Sequence, residues 1–391
     1  RIFLSDTLAN ECSTCTSRRL PGKIGKVMSM QPEEYMRRAI ELAGKARGFT
    51  SPNPMVGAVI VKDNRIIGEG YHERCGQLHA ERNALASCKE SPKGAVMYVT
   101  LEPCCHYGKT PPCTEAIIEA GIRKVVIGSR DPNPKVSGKG AKQLRKAGIE
   151  VEEDFLRTEC DALNPVFFHY ISTGTPYVVL KYAMTADGKI ASHTGKSKWI
   201  TGEKARNHVH QLRHWYSGIM VGIDTVLADD PMLNCRIEGL RSPMRIVCDS
   251  RLRIPLDSNL CKSAREYPLI IACAREDAYR KKELEKLGAE VLCLPDANGR
   301  VSMPDLMKEL GRREIDSVLV EGGATLNSSV IQAGLVKKCY VYIGGKILGG
   351  TEAKGPVDGE GADSPDTGLQ LEKPKVTVFE NDVLLEYDVK Q

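Results

Sequence analysis

The chain has 391 residues, 41% apolar and 27% charged, as expected for a soluble globular protein of two or three domains. No apolar run approaches the ~18 residues of a membrane-spanning helix, which excludes an integral membrane protein. Lys and Arg exceed Asp and Glu by only five and aromatics are 5%, too little basicity and too few rings to argue for a nucleic-acid platform.

Residues 1–30 show no clean helical or strand period. They hold five Lys/Arg against two Asp/Glu, so most of the basicity lies there. They are expected to be a disordered leader, with Met28 or Met30 as a natural start. Cys12 and Cys15 form a CxxC, but no second CxxC or His pair accompanies it to make a zinc site.

From Pro32 the pattern is orderly. Met36, Ala39, Ile40 and Ala43 share one face of a helix predicted over 32–46. A hairpin is predicted over 56–62 and 65–68, turning at Asp63-Asn64. Then come a helix at 80–88, a strand at 96–101 and a Cys/Pro/Gly-rich loop. A helix at 114–120, a strand at 124–128, a helix at 140–147 and a strand at 148–152 complete the unit. Strands alternating with helices imply an α/β layered sheet. The first domain is placed at 31–155 and a connector at 156–176.

A second, larger α/β domain is placed at 177–391. Its strands are expected at 177–182, 217–222, 245–249, 268–273, 290–294, 316–320 and 339–343. Its helices are expected at 202–214, 277–287, 303–311 and 324–334. The Gly/Asp/Glu/Pro-rich stretch 350–370 reads as a flexible loop, and 375–387 as a β-hairpin. Of the fourteen cysteines, most sit in apolar runs such as Ile246-Val247-Cys248 and read as small buried hydrophobes. The cluster at 104, 105 and 113 is different.

His79-Ala80-Glu81 opens one helix, Pro103-Cys104-Cys105 follows a strand, and Cys113 opens the next helix. One His and two Cys offer three zinc ligands and leave a fourth position for water. Zinc lowers the pKa of such a water to about 7. Glu81, two residues from His79, can move its proton to a leaving amine. This is the H-x-E…P-C pattern of zinc nucleobase deaminases. The usual second Cys would fall at residue 107, which is Tyr, so the loop to Cys113 is long. Cys105 or His106 remain rival ligands, and a closed structural site of His79, Cys104, Cys105 and Cys113 is the plainer alternative.

In the second domain, Val320-Glu321-Gly322-Gly323-Ala324 ends a strand and begins a helix, where glycines let a phosphate approach backbone N–H groups. An ordinary tight turn explains it equally well. Arg206, Arg213 and Arg236 could grip a phosphate in bidentate fashion.

Taken together, H-A-E at 79–81, T-L-E-P-C at 100–104, H-x-G-K-T-P-P-C at 106–113, S-P-N-P-M-V-G at 51–57 and D-P-N-P at 131–134 resemble the bacterial bifunctional riboflavin-biosynthesis deaminase/reductase family. The resemblance runs over about 32–391. It extends to Leu180-Lys181, Thr185-Ala186-Asp187-Gly188-Lys189, Ser197-Lys198-Trp199-Ile200-Thr201 and Thr225-Val226-Leu227-Ala228-Asp229-Asp230-Pro231. The family has this same long loop between its zinc cysteines.

The resemblance implies a cytidine-deaminase-like three-layer domain followed by a dihydrofolate-reductase-like domain. It implies one Zn²⁺ per chain on His79, Cys104 and Cys113, with Glu81 as proton shuttle. Asn53, His72, His106, Lys109, Asp131 and Asn133 would contact substrate, His72, His106 and Lys109 at its ribosyl phosphate. In the second half Lys181, Ser197, Arg213 and Arg236 would hold the substrate phosphate and nearby polar groups. Trp199, Thr201, Thr225 and Asp229 would line the nicotinamide cleft, with Asp229 aiding protonation. Glu321, Gly322 and Gly323 would form the nucleotide-binding turn, and NADPH would be the reductant.

The implied function is deamination of 2,5-diamino-6-ribosylamino-4(3H)-pyrimidinone 5′-phosphate, then reduction to 5-amino-6-(ribitylamino)uracil 5′-phosphate. A cytoplasmic homo-oligomer acting on this small pyrimidine ribosyl phosphate, without nucleic-acid or membrane partners, is expected. Two other readings are a tRNA-editing type of zinc deaminase and a non-catalytic zinc-stabilised binding protein. The first leaves the second half unexplained; the second leaves Glu81 without a task.

Overall fold

A computed structural model describes residues 30–107, 111–134 and 136–390. Of the sequence-based expectations, Lys109 and the leader up to residue 29, with Cys12 and Cys15, lie outside the described residues.

The first half opens on α1 (Pro32–Gly44). Pro32 presets the first turn, and Glu34 Oε2 accepts the Gln31 N–H at 2.7 Å. Tyr35, Met36, Ala39, Leu42 and Ala43 recur at helical spacing and are buried against the sheet. The hairpin of β1 (Gly57–Lys62) and β2 (Arg65–Tyr71) turns at Asp63 and Asn64, both with positive φ. That is the conformation a tight hairpin needs and these residue types tolerate. There follow α2 (Ala80–Ala86), β3 (Val96–Leu101), α3 (Cys113–Glu119), β4 (Lys124–Ser129), α4 (Lys139–Lys146) and β5 (Glu150–Glu152).

The sheet order is β2-β1-β3-β4-β5, with β3, β4 and β5 parallel. Ala58 and Ile60 of β1 meet Ala80, Ala84, Ile117 and Leu144 on one face. Val59 and Val61 meet Met36 and Ala39 on the other. Both faces are covered, so β1 reads as an unbroken apolar run. The result is a three-layer α/β/α unit, as in cytidine deaminases. Gly70 in β2 lets α2 lie close: a Cβ there would stand 2.2 Å from Ala84 N.

Between the halves the chain forms α5 (Arg157–Asp161) and α6 (Pro165–Thr173). Asn164-Pro165 supplies the start signal for α6. The second half contains β6 (Tyr177–Thr185), α7 (Glu203–Trp215), β7 (Gly218–Gly222), α8 (Ile223–Asp229), β8 (Met244–Cys248), α9 (Asn259–Lys262) and β9 (Leu269–Cys273). It continues with α10 (Ala278–Leu287), β10 (Ala289–Cys293), α11 (Met303–Arg312), β11 (Ser317–Val320), α12 (Ala324–Gln332), β12 (Val336–Gly344), β13 (Lys375–Phe379) and β14 (Asp382–Asp388). α8 and α9, of seven and four residues, were not expected.

The second sheet runs β10-β9-β8-β7-β11-β6-β12-β14-β13. β14 pairs antiparallel with both β12 and β13, while β6 to β12 pair in parallel. In the stretch 350–370 the regular structure is one 3₁₀ turn, Pro365–Thr367. No helix among the described residues is long and apolar enough to cross a membrane. The halves touch where His214 meets the Phe49 ring at 4.5 Å and its Nε2–H donates to the Arg47 carbonyl at 3.1 Å.

Candidate metal centre and reduction site

His79 is the N-cap of α2, Cys104 lies in the loop after β3, and Cys113 is the first residue of α3. Two helix starts and one strand end therefore converge. His79 Nδ1 is 3.5 Å from Cys104 Sγ and 3.4 Å from Cys113 Sγ. All three donor atoms lie within 4.8 Å of one another. Neither Cys105 nor His106 belongs to this group, so the rival ligand sets are not assembled.

The Cys113 backbone N–H donates to Cys104 Sγ at 3.3 Å. Hydrogen bonds from Cys113 and His79 pull the Cys104 thiol down to about 4, against its burial. Cys113 is pushed up, first by its bond to Cys104 and then by burial. A thiolate pair with an imidazole Nδ1 is a donor set that suits zinc.

Glu81 lies in the first turn of α2 and is 3% exposed. Burial, and then the charge at Cys104, raise its pKa. A carboxyl whose proton affinity is raised beside a metal donor set suits proton transfer there.

A cavity of about 350 Å³ opens over this group, within the range of small-molecule sites. Asn53, His72, His106, Asp131 and Asn133 all line it. His72 is buried, and burial lowers its pKa, so the ring is neutral. Its Nδ1–H donates to the Leu78 carbonyl at 3.0 Å, leaving Nε2 to accept from Asn53 Nδ2 at 3.2 Å. That bond turns the Asn53 amide and fixes its orientation. Asp131 Oδ1 accepts the Asn133 N–H at 2.8 Å, and burial pushes Asp131 up to about 6. His106 Nδ1 is buried with no hydrogen-bond partner among the described residues.

Glu102, Phe167 and Glu314 also line the cavity and were not singled out by sequence. Glu102 accepts the N–H groups of Gly138 and Ala141, which steadies the loop carrying Asp131 and Asn133. Its place before Pro103-Cys104 was a readable signal; Phe167 and Glu314 come from outside the first sheet and gave none.

In the second half Val320 pairs with Leu180, which sets Glu321 beside Lys181. Glu321 accepts from Arg213 Nε at 2.8 Å and Nη2 at 3.0 Å, with Lys181 Nζ at 3.7 Å. Burial alone would raise Glu321; the two cations overcome it and hold the carboxylate down at about 2. Glu321 is thus engaged by both Arg213 and Lys181, and the Arg213 fork is turned toward that carboxylate.

His210, one turn from Arg213 on α7, accepts from Arg236 Nε at 3.2 Å. Burial and the two arginines push it down to about 4. It was missed, although its helical spacing from Arg213 was visible.

Thr225 and Asp229 lie four residues apart on α8, hence on one face. Ser197 Oγ donates to Asp229 Oδ1 at 3.3 Å. Gly322 and Gly323 pack on Thr225: a Cβ at Gly322 would stand 3.0 Å from its Oγ1. Trp199 is 58% exposed under the Arg206 guanidinium at 4.4 Å, while Thr201 is buried and its carbonyl accepts from Arg206.

Comparison with known proteins agrees half by half. Residues 29–129 match the cytidine and deoxycytidylate deaminase zinc-binding region, and residues 176–385 match the RibD C-terminal domain. Riboflavin biosynthesis protein RibD of Actinobacillus pleuropneumoniae is 54% identical over 92% of this chain and 96% of its own length. The Bacillus amyloliquefaciens protein of that name is 42% identical, covering 90% and 95%. The Acinetobacter baumannii RibD structure superposes with a TM-score of 0.83 at 39% identity, covering 92% and 99%. A Thermotoga maritima diaminohydroxyphosphoribosylaminopyrimidine deaminase/5-amino-6-(5-phosphoribosylamino)uracil reductase gives 0.81 at 40%, covering 92% and 98%.

The metal is zinc, given the matched zinc-binding region and the His/Cys/Cys donors, and the reductase half is consistent with NADPH. Matches over both halves, in the same order and nearly end to end, make this chain a member of the bifunctional RibD family of riboflavin-biosynthesis enzymes, deaminase first and reductase second.

Proposed function

We propose that the first half, 31–155, hydrolyses the amine of 2,5-diamino-6-ribosylamino-4(3H)-pyrimidinone 5′-phosphate. We propose that the second, 177–391, beyond a connector at 156–176, reduces its ribosyl chain to ribityl. The observation that carries the reading is the convergence of His79, Cys104 and Cys113 beside buried Glu81 at a 350 Å³ cavity.

His79, Cys104 and Cys113 would hold zinc, which when bound makes water a nucleophile near neutral pH. Glu81 takes a proton from the attacking water and delivers it to the departing ammonia. Asn53, oriented by His72, and Asp131 with Asn133 grip the polar edges of the pyrimidine. His106, with Lys109, takes the ribosyl phosphate.

In the second half NADPH supplies the hydride. Thr225, Gly322 and Gly323 form the nucleotide wall, with Trp199 and Thr201 beside the nicotinamide. Ser197 and Arg236 take the substrate phosphate. Lys181, tied with Arg213 to Glu321, faces the ribosyl hydroxyls, and Asp229 polarises the opening sugar.

Supplying the diaminopyrimidine phosphate with and without NADPH tests both halves. Ammonia is expected in both cases and ribityl product only with NADPH. Release of ammonia solely in the presence of NADPH would contradict two separate sites. We also place the enzyme in the cytoplasm as a homo-oligomer, which light scattering of the purified chain tests.

Asp131 gives a pH prediction. Its ionised form accepts substrate N–H groups, so deaminase kcat/KM should rise through about pH 6 and then level. Asp131→Asn should lose that limb and roughly tenfold to a hundredfold in plateau kcat/KM, the value of a charge-assisted hydrogen bond. The same burial works against the fold. Folded Asp131 keeps its proton up to about 6 and unfolded Asp131 only to 3.8, so stability falls as pH rises between them. The Asn variant should melt higher than the parent above pH 6.

A further inference from the structure

The cavity is not built by the first half alone. The segment 51–55, which carries Asn53, is held at both ends by residues outside the first sheet. At one end Ser51 Oγ donates to Asp316 Oδ2 at 2.5 Å, across 265 residues of sequence. At the other the Met55 N–H donates to Asn164 Oδ1, and Asn164 Nδ2 donates to the Met55 carbonyl, both at 2.8 Å. Within the segment the Asn53 N–H closes a turn onto the Thr50 carbonyl at 2.7 Å.

Both anchors are buried and well tied to their own side. Asp316 is 3% exposed and stands at the head of β11. Its Oδ1 accepts from Ser217 Oγ at 2.6 Å and Ser317 Oγ at 2.8 Å. Three hydroxyl donors satisfy a carboxylate that burial would otherwise make costly. Asn164 is 4% exposed and stands at the N-cap position of α6, its side chain given over to Met55. Each anchor also has a near neighbour in the cavity wall: Phe167 one turn after Asn164, and Glu314 two residues before Asp316.

We propose that Asp316 and Asn164 are positioning residues for the deaminase pocket. They hold the 51–55 segment so that Asn53 faces the pyrimidine. The zinc group and Glu81 come from α2, α3 and the loop after β3, and touch neither anchor. The first half assembles the metal centre and supplies Asn53, His72, Asp131 and Asn133 to the cavity, while Asn164 and Asp316, outside it, hold the segment that carries Asn53.

The inference rests on the deaminase reading above. Its test is steady-state deamination by the zinc-loaded full chain carrying Asp316→Ala, Asp316→Asn or Asn164→Ala. Each alanine variant should raise KM for the diaminopyrimidine phosphate roughly tenfold or more, with a smaller fall in kcat. Zinc should stay at one per chain, and NADPH-dependent reduction of the deaminated compound should stay within about twofold of the parent.

Asp316→Asn should restore most of the affinity. Its amide oxygen can accept from Ser217 and Ser317 while its NH₂ donates to the Ser51 oxygen. Unchanged deaminase KM in either alanine variant overturns the proposal. So does an equal loss in both reactions, which would mark a general structural role. A parent enzyme that releases no ammonia would overturn the deaminase reading itself, and this proposal with it.

Discussion

Replacing Glu81 by Gln should lower ammonia release about 10³-fold or more, while zinc stays near one per chain. Glu81 has no place among the three donor atoms, so its loss leaves the metal group intact. Gln keeps the shape that α2 buries but cannot take a proton from water. The second half, 177–391, should reduce the deaminated compound at the parent rate. Metal analysis beside the two assays separates the outcomes. Unchanged ammonia release would remove Glu81 from the mechanism. Loss of zinc would instead make it a metal-site residue.

The second large effect is on stability. Glu321→Gln should destabilise the second half by about 3–5 kcal/mol, the usual result of breaking a buried ion pair from one side. Lys181, whose pKa burial already lowers, can shed its proton. Arg213 cannot, and would be left charged with 15% of its side chain exposed. The chain's two tryptophans, Trp199 and Trp215, both lie in this half, so their fluorescence in urea reports on it selectively.

The pH dependence has a definite sign. Glu321 falls from its ordinary 4.5 to about 2 in the folded state. The stabilisation is complete above about 4.5 and is lost as pH falls through about 2. The gap between parent and Gln variant should therefore be constant near neutrality and close in strong acid. A variant with the parent's urea midpoint at pH 7 would show that the triad contributes nothing net. NADPH oxidation should fall along with stability, because Arg213 and Lys181 lose the carboxylate that aims them.

The zinc group was legible because it is local. Each ligand sits at an element boundary, and each boundary is marked by short-range chemistry: His79 before a helix, Cys104 after an apolar strand, Cys113 after two prolines. Most strands of both sheets were legible for a similar reason, as apolar runs bounded by turn residues. α6, α8 and α9 were not, because they take their stability from what they pack against.

Glu321 shows where local reading ends. Beside two glycines at a strand–helix turn, it looks like part of a phosphate-binding loop. What engages it is Arg213, 108 residues earlier, brought alongside by the packing of α7 against β6, β11 and β12. The 51–55 segment is the same case at greater distance. Its Pro-Asn-Pro motif marks a turn, but nothing nearby says that Asp316 and Asn164 hold it.

The amino-acid order by itself pointed to the two α/β units and, through the H-x-E and P-C motifs, to the zinc cluster and Glu81. These depend on neighbours within a few residues and on strand and helix periods. Only the tertiary structure decided which carboxylate neutralises Arg213, how His72 orients Asn53, and that the first cavity is closed by the second half. Those contacts join residues far apart in the chain, and burial, not proximity in sequence, gives them their strength.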